Sequence, residues 1–343
     1  MTAPLVSAVM PVYNGERFVV EAVRSILAQT LGDFECVVVD DGSTDRTAKL
    51  LEAEQALDSR LVVHRQPSNL GFRTALNTGC ALARGEFIAR MDADDISEPT
   101  RFERQVAFLR AHPEVGVVGS AMQFIDDRGV RGRVKSYPAG GGLAAWSMLF
   151  FNSLGHPSVM MRRALLQAAG WYPAGCAGGT EDYAIFLDLS WKSRVANLPE
   201  VLLLYRVWGG NMTHTKWEAQ EGDAVRLLRA FAASSLGIDL TPDDAFAMRG
   251  LARDQYPTDA RAAARLGSLI EKLLPHYVDL FRDSPHDVRE IRTDAGIRLW
   301  LLSALALRRA SPQSLSLAAK AFTTSPMSLG AFVAKVAGRL THG

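Results

Sequence analysis

The sequence lacks the features that define secreted, disulfide-linked and membrane-spanning proteins. Its 343 residues include only three cysteines, Cys36, Cys80 and Cys176, which are widely separated and form no C-x-x-C pair. We therefore expect buried free thiols in a reducing compartment. No apolar run approaches the roughly 18 residues of a spanning helix, and the N-terminus has no basic segment typical of a signal peptide. The sequence predicts a cytoplasmic protein that is soluble or peripheral to the membrane.

An excess of one charge sign is also missing. The chain carries 38 basic and 37 acidic residues, for a formal net charge of +1. This balance excludes the dominant basic field of a nucleic-acid-binding protein. The hydrophobic fraction of 48% is ordinary for a folded chain, and the length predicts about two domains.

The first 120 residues alternate apolar runs with segments of helical periodicity. Such an alternation predicts an α/β fold with a mainly parallel, Rossmann-like sheet and helices on both faces. The predicted strands are the runs 5–12, 34–39, 61–64, 87–91 and 115–119.

The remainder of the chain has a different character. The glycine-rich segments 139–142 and 175–179 predict loops. Beyond residue 221 the chain is rich in alanine, leucine and arginine, which favours helices. We therefore predict a first domain over residues 1–220 and a helical C-terminal region over 221–343. Helix breaks are predicted at Pro242, Pro257, Pro275, Pro285, Pro312 and Pro326.

Polar clusters follow three of the predicted strands, at residues 11–14, 40–43 and 92–95. Ligands bind at the carboxyl ends of strands in such sheets. Asp92 and Asp94 are two residues apart in an extended segment, so their carboxylates point to the same side. Two converging carboxylates favour a hard divalent cation, Mg²⁺ or Mn²⁺. Asp41, in contrast, could simply cap the next helix.

Five segments together carry a family resemblance. The chain resembles family 2 of the glycosyltransferases, with the GT-A fold, over about residues 5–215. Residues 88–120 are especially similar to members that build bacterial exopolysaccharide and O-antigen. The five segments are MPVYNGE (10–16), VVVDDGSTD (37–45), NLGFRTALNTG (69–79), ARGEFIARMDADD (83–95) and EDYAIFLDLS (181–190).

The resemblance implies a reaction and a set of partners. The reaction is inverting transfer of a sugar from a nucleotide-diphosphate sugar, most commonly a UDP-sugar in this family, to a hydroxyl. The acceptor would be a saccharide or a lipid-linked saccharide. In the family Asp94 would touch a Mn²⁺ or Mg²⁺ ion, Asp92 would face the ribose or a metal-bound water, and Asp182 would be the catalytic base. The implied donor-binding positions are Pro11, Tyr13, Asn14, Glu16, Asp40, Asp41, Asn69, Arg73, Asp92 and Arg206.

The sequence departs from the family at two positions. Leu76 stands where many members have arginine, and Arg73, one helical turn earlier, is our candidate for the missing charge. Trp208 stands where a histidine is frequent, so His214 is the candidate third metal ligand. Arg206 has two interpretations, which are bidentate binding of phosphate and pairing with a surface carboxylate.

Sugar transfer needs the two functions that these residues would supply. A cation neutralises the departing diphosphate, and a carboxylate takes the proton of the attacking hydroxyl. Glu181 and Asp182 could instead compensate the dipole of the helix that they begin. The competing functions are a nucleotidyltransferase and a non-catalytic subunit that binds a nucleotide-sugar.

The near-neutral total charge hides a division along the chain. Residues 295–343 contain six basic residues and no acidic one, whereas residues 1–294 contain 32 basic and 37 acidic residues. Apolar residues such as Leu299, Leu302 and Ala306 recur there at helical spacing. Two interpretations stay open, an amphipathic contact with an anionic membrane surface and a helical cap that packs on the catalytic domain or a dimer partner.

Overall fold

The computed structural model describes residues 3–176, 179–209, 217–253, 255, 257, 259–307 and 311–340. Its strands are β1 (Val6–Val12), β2 (Phe34–Asp40), β3 (Leu61–Arg65), β4 (Phe87–Arg90), β5 (Ile96–Ser97), β6 (Val115–Ile125), β7 (Arg131–Lys135), β8 (Met160–Arg162) and β9 (Arg194–Arg206). Its helices are α1 (Val19–Leu27), α2 (Thr47–Leu57), α3 (Phe72–Leu82), α4 (Arg101–Ala111), α5 (Gly141–Ser147), α6 (Arg163–Ala168), α7 (Glu181–Lys192), α8 (Trp217–Leu236), α9 (Pro242–Gly250), α10 (Ala260–Leu280), α11 (Pro285–Leu307), α12 (Gln313–Thr324) and α13 (Ser328–Leu340).

The chain divides into two compact units. One consists of residues 1–139 and 152–223, and the other of residues 140–151 and 224–343. None of the described helices is both long enough and apolar enough to cross a membrane.

The first unit is built on one mixed sheet. Its strand order is β3-β2-β1-β4-β8-β6-β9-β5, with β7 paired to β6. The predicted parallel arrangement holds from β3 to β4 and between β6 and β9, whereas β5, β7 and β8 pair in the antiparallel sense. The reversed strands are short and lie mostly beyond the regular alternation of the first 120 residues, so periodicity did not predict them.

The central strand β1 shows how the sheet tolerates a proline. All seven residues of β1 are buried between β2 and β4. The pairing with β4 reaches only Val9, and the Met91 N–H donates to the carbonyl of Val9. Pro11 therefore lies beyond the last ladder bond on that side, where its missing N–H costs nothing.

The thiols behave as expected at two positions of three. Cys36 and Cys80 are buried and free, and burial raises the pKa of each thiol to about 12. Cys176 is in no disulfide and is only partly buried, which corrects the expectation of a buried thiol for this residue.

The second unit has its own core of helices. Leu299, Leu302 and Ala306 of α11 are fully buried in it, so these apolar residues pack inside the unit. Pro242 and Pro285 begin α9 and α11, as the helix breaks predicted. The break predicted at Pro275 is wrong, because this proline lies inside α10. Burial of the flanking residues Leu273 and Tyr277 on one face stabilises α10 despite the lost backbone bond.

Residues 140–151 belong to this second core. The loop predicted over 139–142 is only partly present, because α5 begins at Gly141. Trp146 is fully buried, and its indole N–H donates to Asp294 at 2.8 Å. Its ring packs edge-on against Tyr277 at 5.3 Å between centroids. A large aromatic anchor with a satisfied polar atom therefore ties the segment to the helices.

Gly42 sets the approach of two loops in the first unit, and this generates a stability prediction. Gly42 has a φ of +70°, and a Cβ there would lie 2.5 Å from the backbone carbon of Ser68. Gly129 has a φ of +83° with nothing within 4 Å. We expect Gly129→Ala to cost about 1 kcal/mol from the left-handed backbone alone, and Gly42→Ala to cost roughly 3 kcal/mol. Thermal unfolding of both variants checks this, and equal losses would contradict the close approach.

Candidate active site

The first motif is tied to the loop that follows β2. The backbone N–H of Asn14 donates to Ser43 Oγ at 2.9 Å, and the Thr44 N–H donates to Asn14 Oδ1 at 2.9 Å. Asn14 has a φ of 50°, a left-handed conformation that asparagine tolerates well. These bonds bring two of the predicted polar clusters into contact at the carboxyl edge of the sheet.

Two predicted donor-binding residues in this motif have different surroundings. Tyr13 is 46% exposed, so its ring is accessible to a ligand. Glu16 pairs with Arg46 at 2.9 Å, and this hydrogen bond lowers the pKa of the glutamate. The Glu16 carboxylate therefore already has a protein partner at the surface.

The acidic pair after β2 fixes a neighbouring loop. Asp41 accepts hydrogen bonds from the N–H groups of Leu70 at 2.8 Å and Gly71 at 2.9 Å. Asp41 thus fixes the loop that leads into α3, whereas the capping alternative concerned the helix directly after Asp41. Asn69 Oδ1 accepts from the Gly71 N–H as well, at 3.1 Å. Two of the predicted donor-binding side chains therefore shape this loop.

Asp40 is the more deeply buried member of the pair, with no exposed surface. Its Oδ1 accepts from the Ser43 N–H at 3.0 Å. Its Oδ2 is 3.6 Å from Arg65 Nε and has no hydrogen-bond donor among the residues that the structure describes. Arg65 therefore supplies the positive charge beside this buried oxygen, and the donor-binding role of Asp40 stays a prediction.

Three carboxylates converge after β4. Oxygens of Asp92, Asp94 and Asp95 lie within 4.8 Å of one another. Burial and the neighbouring Asp92 raise the pKa of Asp94, and the same causes raise the pKa of Asp95 well above its usual value. Burial and mutual repulsion make it unfavourable for all three carboxylates to be charged at once. A hard divalent cation bound to their oxygens would relieve this repulsion. Asp95 was missed in the sequence because strand alternation points it away from Asp92 and Asp94.

Each of these carboxylates has a defined partner. Arg90 Nη2 donates to Asp92 at 2.5 Å. The indole N–H of Trp208 donates to Asp94 Oδ2 at 2.8 Å. The backbone N–H of Arg206 donates to Asp95 Oδ1 at 2.8 Å. The tryptophan that replaces the family histidine therefore orients a candidate metal ligand.

Arg90 is a central residue of the site that sequence reasoning missed. It is 2% exposed at the end of β4. Its charge lowers the pKa values of Asp94, Asp95, Glu181 and Asp182, although burial outweighs it at each. The two acidic motifs, far apart in sequence, thus share one buried cation. An arginine inside the apolar run FIARM was the available signal.

Asp182 has the environment of a proton acceptor. It lies at the start of α7, where Oδ1 accepts from the Tyr183 N–H at 2.7 Å and Oδ2 accepts from Asn152 Nδ2 at 2.8 Å. Burial and the nearby Glu181 raise the pKa of the Asp182 carboxyl to about 7. A carboxylate poised near neutral pH suits general-base chemistry. Asn152 is a second residue that sequence reasoning missed, within an irregular loop.

The remaining predicted residues fall into three situations. Arg73 lies near the site, since its charge lowers the pKa of Glu181. The Arg206 guanidinium donates to the Glu21 carboxylate at 2.6 Å and to the backbone carbonyls of Asp94 and Asp126, at 2.8 and 3.1 Å. Of the two predicted roles of Arg206, the structure therefore shows pairing with a carboxylate. Arg206 links β9 to the acidic loop. His214 lies outside the described residues.

Known structures resemble this fold. The *Staphylococcus aureus* TarS fragment 1–349 in complex with UDP-GlcNAc has a TM-score of 0.55 and 20% identity, over 96% of this chain and 92% of that one. The chain spans 54% of the longer TarS structure. The mannosyltransferase PcManGT of *Pyrobaculum calidifontis*, with GDP-Man and Mn²⁺, has a TM-score of 0.53 and 19% identity, over 96% of this chain and 88% of that one. At these identities the likeness shows the fold alone.

Sequence comparison identifies the family. The model of glycosyl transferase family 2 matches residues 7–169. An uncharacterised glycosyltransferase of *Haemophilus influenzae* is 30% identical, over 69% of this chain and 77% of that protein. The amylovoran biosynthesis glycosyltransferase AmsE of *Erwinia amylovora* is 32% identical, over 61% of this chain and 79% of that protein. The alignments cover more than three quarters of both relatives, and the family model confirms the resemblance seen in the motifs. The chain therefore belongs to glycosyltransferase family 2.

Proposed function

We propose that this glycosyltransferase is a metal-dependent, inverting enzyme of bacterial surface-polysaccharide synthesis. It would move a sugar from a nucleotide-diphosphate sugar to a hydroxyl of a saccharide or lipid-linked saccharide. The observation that carries the proposal is the convergence of the acidic loop after β4 and the start of α7 around Arg90. One edge of the sheet would thereby hold both a cation site and a base.

The donor half of the site would use the acidic loop. Asp92 and Asp94, with Asp95 behind them, would hold Mn²⁺ or Mg²⁺, which neutralises the charge of the departing diphosphate when it is bound. Arg90 and Trp208 fix the orientation of Asp92 and Asp94. The loops around Asn14 and Asp41 would receive the nucleoside, with Tyr13 as the exposed ring.

The acceptor half would use Asp182. Its carboxylate takes the proton of the acceptor hydroxyl as the oxygen attacks the anomeric carbon. Asn152 and the Tyr183 N–H hold both carboxylate oxygens in place. Attack from the face opposite the leaving group inverts the anomeric centre, by the logic of inverting glycosidases. These contacts favour the base role over simple compensation of the helix dipole.

A uridine nucleotide is the donor that we propose. The TarS fragment, which shares the fold, binds UDP-GlcNAc, whereas PcManGT binds GDP-Man with Mn²⁺. The name of AmsE supports a role in polysaccharide synthesis.

Two further expectations stay predictions, namely the cytoplasmic location and the contact of the basic C-terminal end with a membrane or a second copy.

The alternatives are less well supported. A nucleotidyltransferase would normally carry a glycine-rich, basic phosphate-binding loop after the first strand. Residues 12–18 (VYNGERF) contain few glycines and few basic residues. A non-catalytic subunit would not need a carboxylate held by Asn152 with a pKa near neutrality.

The base role predicts a selective loss of turnover. We expect Asp182→Asn to lower the transfer rate by about 10²–10⁴-fold, because the amide cannot accept the proton. A panel of nucleotide-sugars, read by nucleotide release and by donor-induced thermal shift, measures both steps, and the thermal shift should persist. Asp188→Asn is the matched control, since Asp188 lies on the same helix and pairs with Lys192 at the surface. Undiminished transfer by Asp182→Asn would refute the assignment.

The raised pKa of Asp182 predicts a pH dependence. The base must be ionised, so kcat/KM should fall about tenfold for each pH unit below the pKa of about 7 and level off above it. The profile is measured at saturating Mn²⁺ and constant ionic strength. Donor-induced thermal shifts at each pH separate the loss of the base from a loss of donor binding. A flat profile through this range would mean that Asp182 does not act as the base.

The acidic loop predicts metal dependence through Asp94. We expect Asp94→Asn to raise the Mn²⁺ concentration needed for half-maximal stabilisation by UDP at least about tenfold. EDTA should abolish both the stabilisation and the transfer. Asp127→Asn is the control, because Asp127 forms an exposed pair with Arg17. An unchanged Mn²⁺ titration for Asp94→Asn would rule out this metal site.

A further inference from the structure

The short strand β7 presents a basic face that the proposed function does not use. A bulge opposite Phe124 interrupts the alternation of side chains along β7. Arg133 and Lys135 therefore lie on the face of Phe124 and Met122, whereas Arg131, opposite Ile125, bonds to Gln123 on the other face. Lys135 lies opposite Met122 of β6 in the antiparallel register. All five residues of β7 are exposed. A run of three cations therefore lies along one exposed strand.

Only one of the three cations is neutralised by a neighbouring carboxylate. Arg131 pairs with Glu98 at 2.8 Å. Arg133 and Lys135 form no ion pair with any residue in the described part of the chain. Two positive charges on adjacent positions of one face thus lack a protein counter-charge.

Aromatic rings lie directly beneath these two cations. The guanidinium carbon of Arg133 is 4.5 Å from the centroid of the Phe124 ring, and Lys135 Nζ is 4.9 Å from that of Tyr137. The Phe124 ring meets Tyr205 edge-on at 5.6 Å. We call Phe124, Arg133, Lys135 and Tyr137 the β7 patch. Apolar rings pack on sugar faces, and cations bind phosphate, so the patch combines both recognition chemistries.

The sheet topology places the β7 patch beside the site. β8 pairs with β6 at Val117 and Val118, and β7 takes over the same edge of β6 from Met122 to Ile125. Since β6 runs parallel to β4, β7 extends the sheet toward the edge where the acidic loop follows β4.

The patch is also close to the proposed base. Burial raises the pKa of Tyr137, and the Asp182 charge raises it further. The pKa of Lys135 is lowered by the partial desolvation of its ammonium group over the Tyr137 ring and by Arg133, against the Asp182 charge. A Cβ on Gly155 would lie 3.0 Å from the Tyr137 hydroxyl, so Tyr137 meets the loop that carries Asn152. Asn152 in turn donates to Asp182.

We propose that the β7 patch is the acceptor subsite, and that it selects an acceptor with a phosphate next to the sugar whose hydroxyl attacks. This inference rests on the proposed function. The acceptor hydroxyl must reach Asp182, and Tyr137 of the patch meets the loop that holds Asp182 through Asn152. The donor diphosphate is assigned to the acidic loop, so Arg133 and Lys135 are available to an anion on the acceptor. A lipid-linked sugar diphosphate and a polymer phosphodiester both carry this chemistry.

Matched acceptors test the proposal. One is an octyl glycoside, and the other is the same sugar joined to octanol through a phosphodiester, each supplied as a small panel of sugars. We expect the unaltered 343-residue chain to show a KM at least tenfold lower for the phosphodiester. Arg133→Gln should raise that KM by roughly tenfold and leave the KM for the octyl glycoside within about twofold. Arg133→Lys should recover most of the loss.

Two controls isolate the β7 patch. Arg128→Gln removes an exposed charge from the neighbouring turn and should leave the ratio of the two KM values unchanged. Thermal shift by the octyl phosphodiester gives a reading that does not need turnover, and it should weaken in both Arg133→Gln and Lys135→Gln. No preference for the phosphodiester in the unaltered protein, or an equal loss in Arg128→Gln, would overturn the inference.

The outcomes separate the inference from the function on which it rests. Transfer without any phosphate preference removes the acceptor subsite and keeps the glycosyltransferase. Failure of every nucleotide-sugar to give a thermal shift or nucleotide release removes the proposed function itself. Two further acceptors, a sugar on a long-chain alkyl diphosphate and a sugar on glycerol phosphate, distinguish the lipid from the polymer source. If Arg133→Gln selectively weakens the use of either of these acceptors, the result supports the β7 patch as the acceptor subsite.

Discussion

The site depends on one buried cation among crowded carboxylates. The Arg90 guanidinium has almost no contact with solvent, and an isolated charge in that position would be strongly unfavourable. Asp92 supplies its hydrogen-bonded counter-charge, while Asp94, Asp95, Glu181 and Asp182 lie within range of its field. The cation in turn makes it possible to place two acidic motifs at one edge of a sheet.

The same crowding explains the chemistry. One guanidinium does not offset the burial of so many acidic groups, so the pKa values of Asp94, Asp95 and Asp182 are all raised. For the loop after β4 this leaves a demand for a further cation, which a divalent metal ion would meet. For Asp182 it gives a carboxyl whose pKa of about 7 suits the proposed base. In the proposed function, one electrostatic constraint would prepare both halves of the transfer reaction.

Several side chains that were predicted to bind the donor form hydrogen bonds or ion pairs that stabilise the fold. Asp41 holds the loop before α3, Glu16 pairs with Arg46, and Arg206 joins β9 to the acidic loop. Such roles do not compete with catalysis, because a site that stabilises a transition state must be held rigidly before the substrate arrives. Trp208 illustrates this, since it replaces a family histidine with a donor that orients Asp94.

The sequence by itself determined the first strands and helices and the position of the acidic loop, because local periodicity and strand-end position depend only on neighbouring residues. It also indicated Asp92, Asp94 and Asp182 through their motifs. Only the tertiary structure decided that Asp95 turns toward Asp92 and Asp94, that Asn152 reaches Asp182, and that β7 pairs with the end of β6. The Arg206 N–H holds Asp95 and Asn152 holds Asp182, and both bonds span long stretches of chain. Strand pairing and loop packing create these bonds, so local periodicity does not encode them.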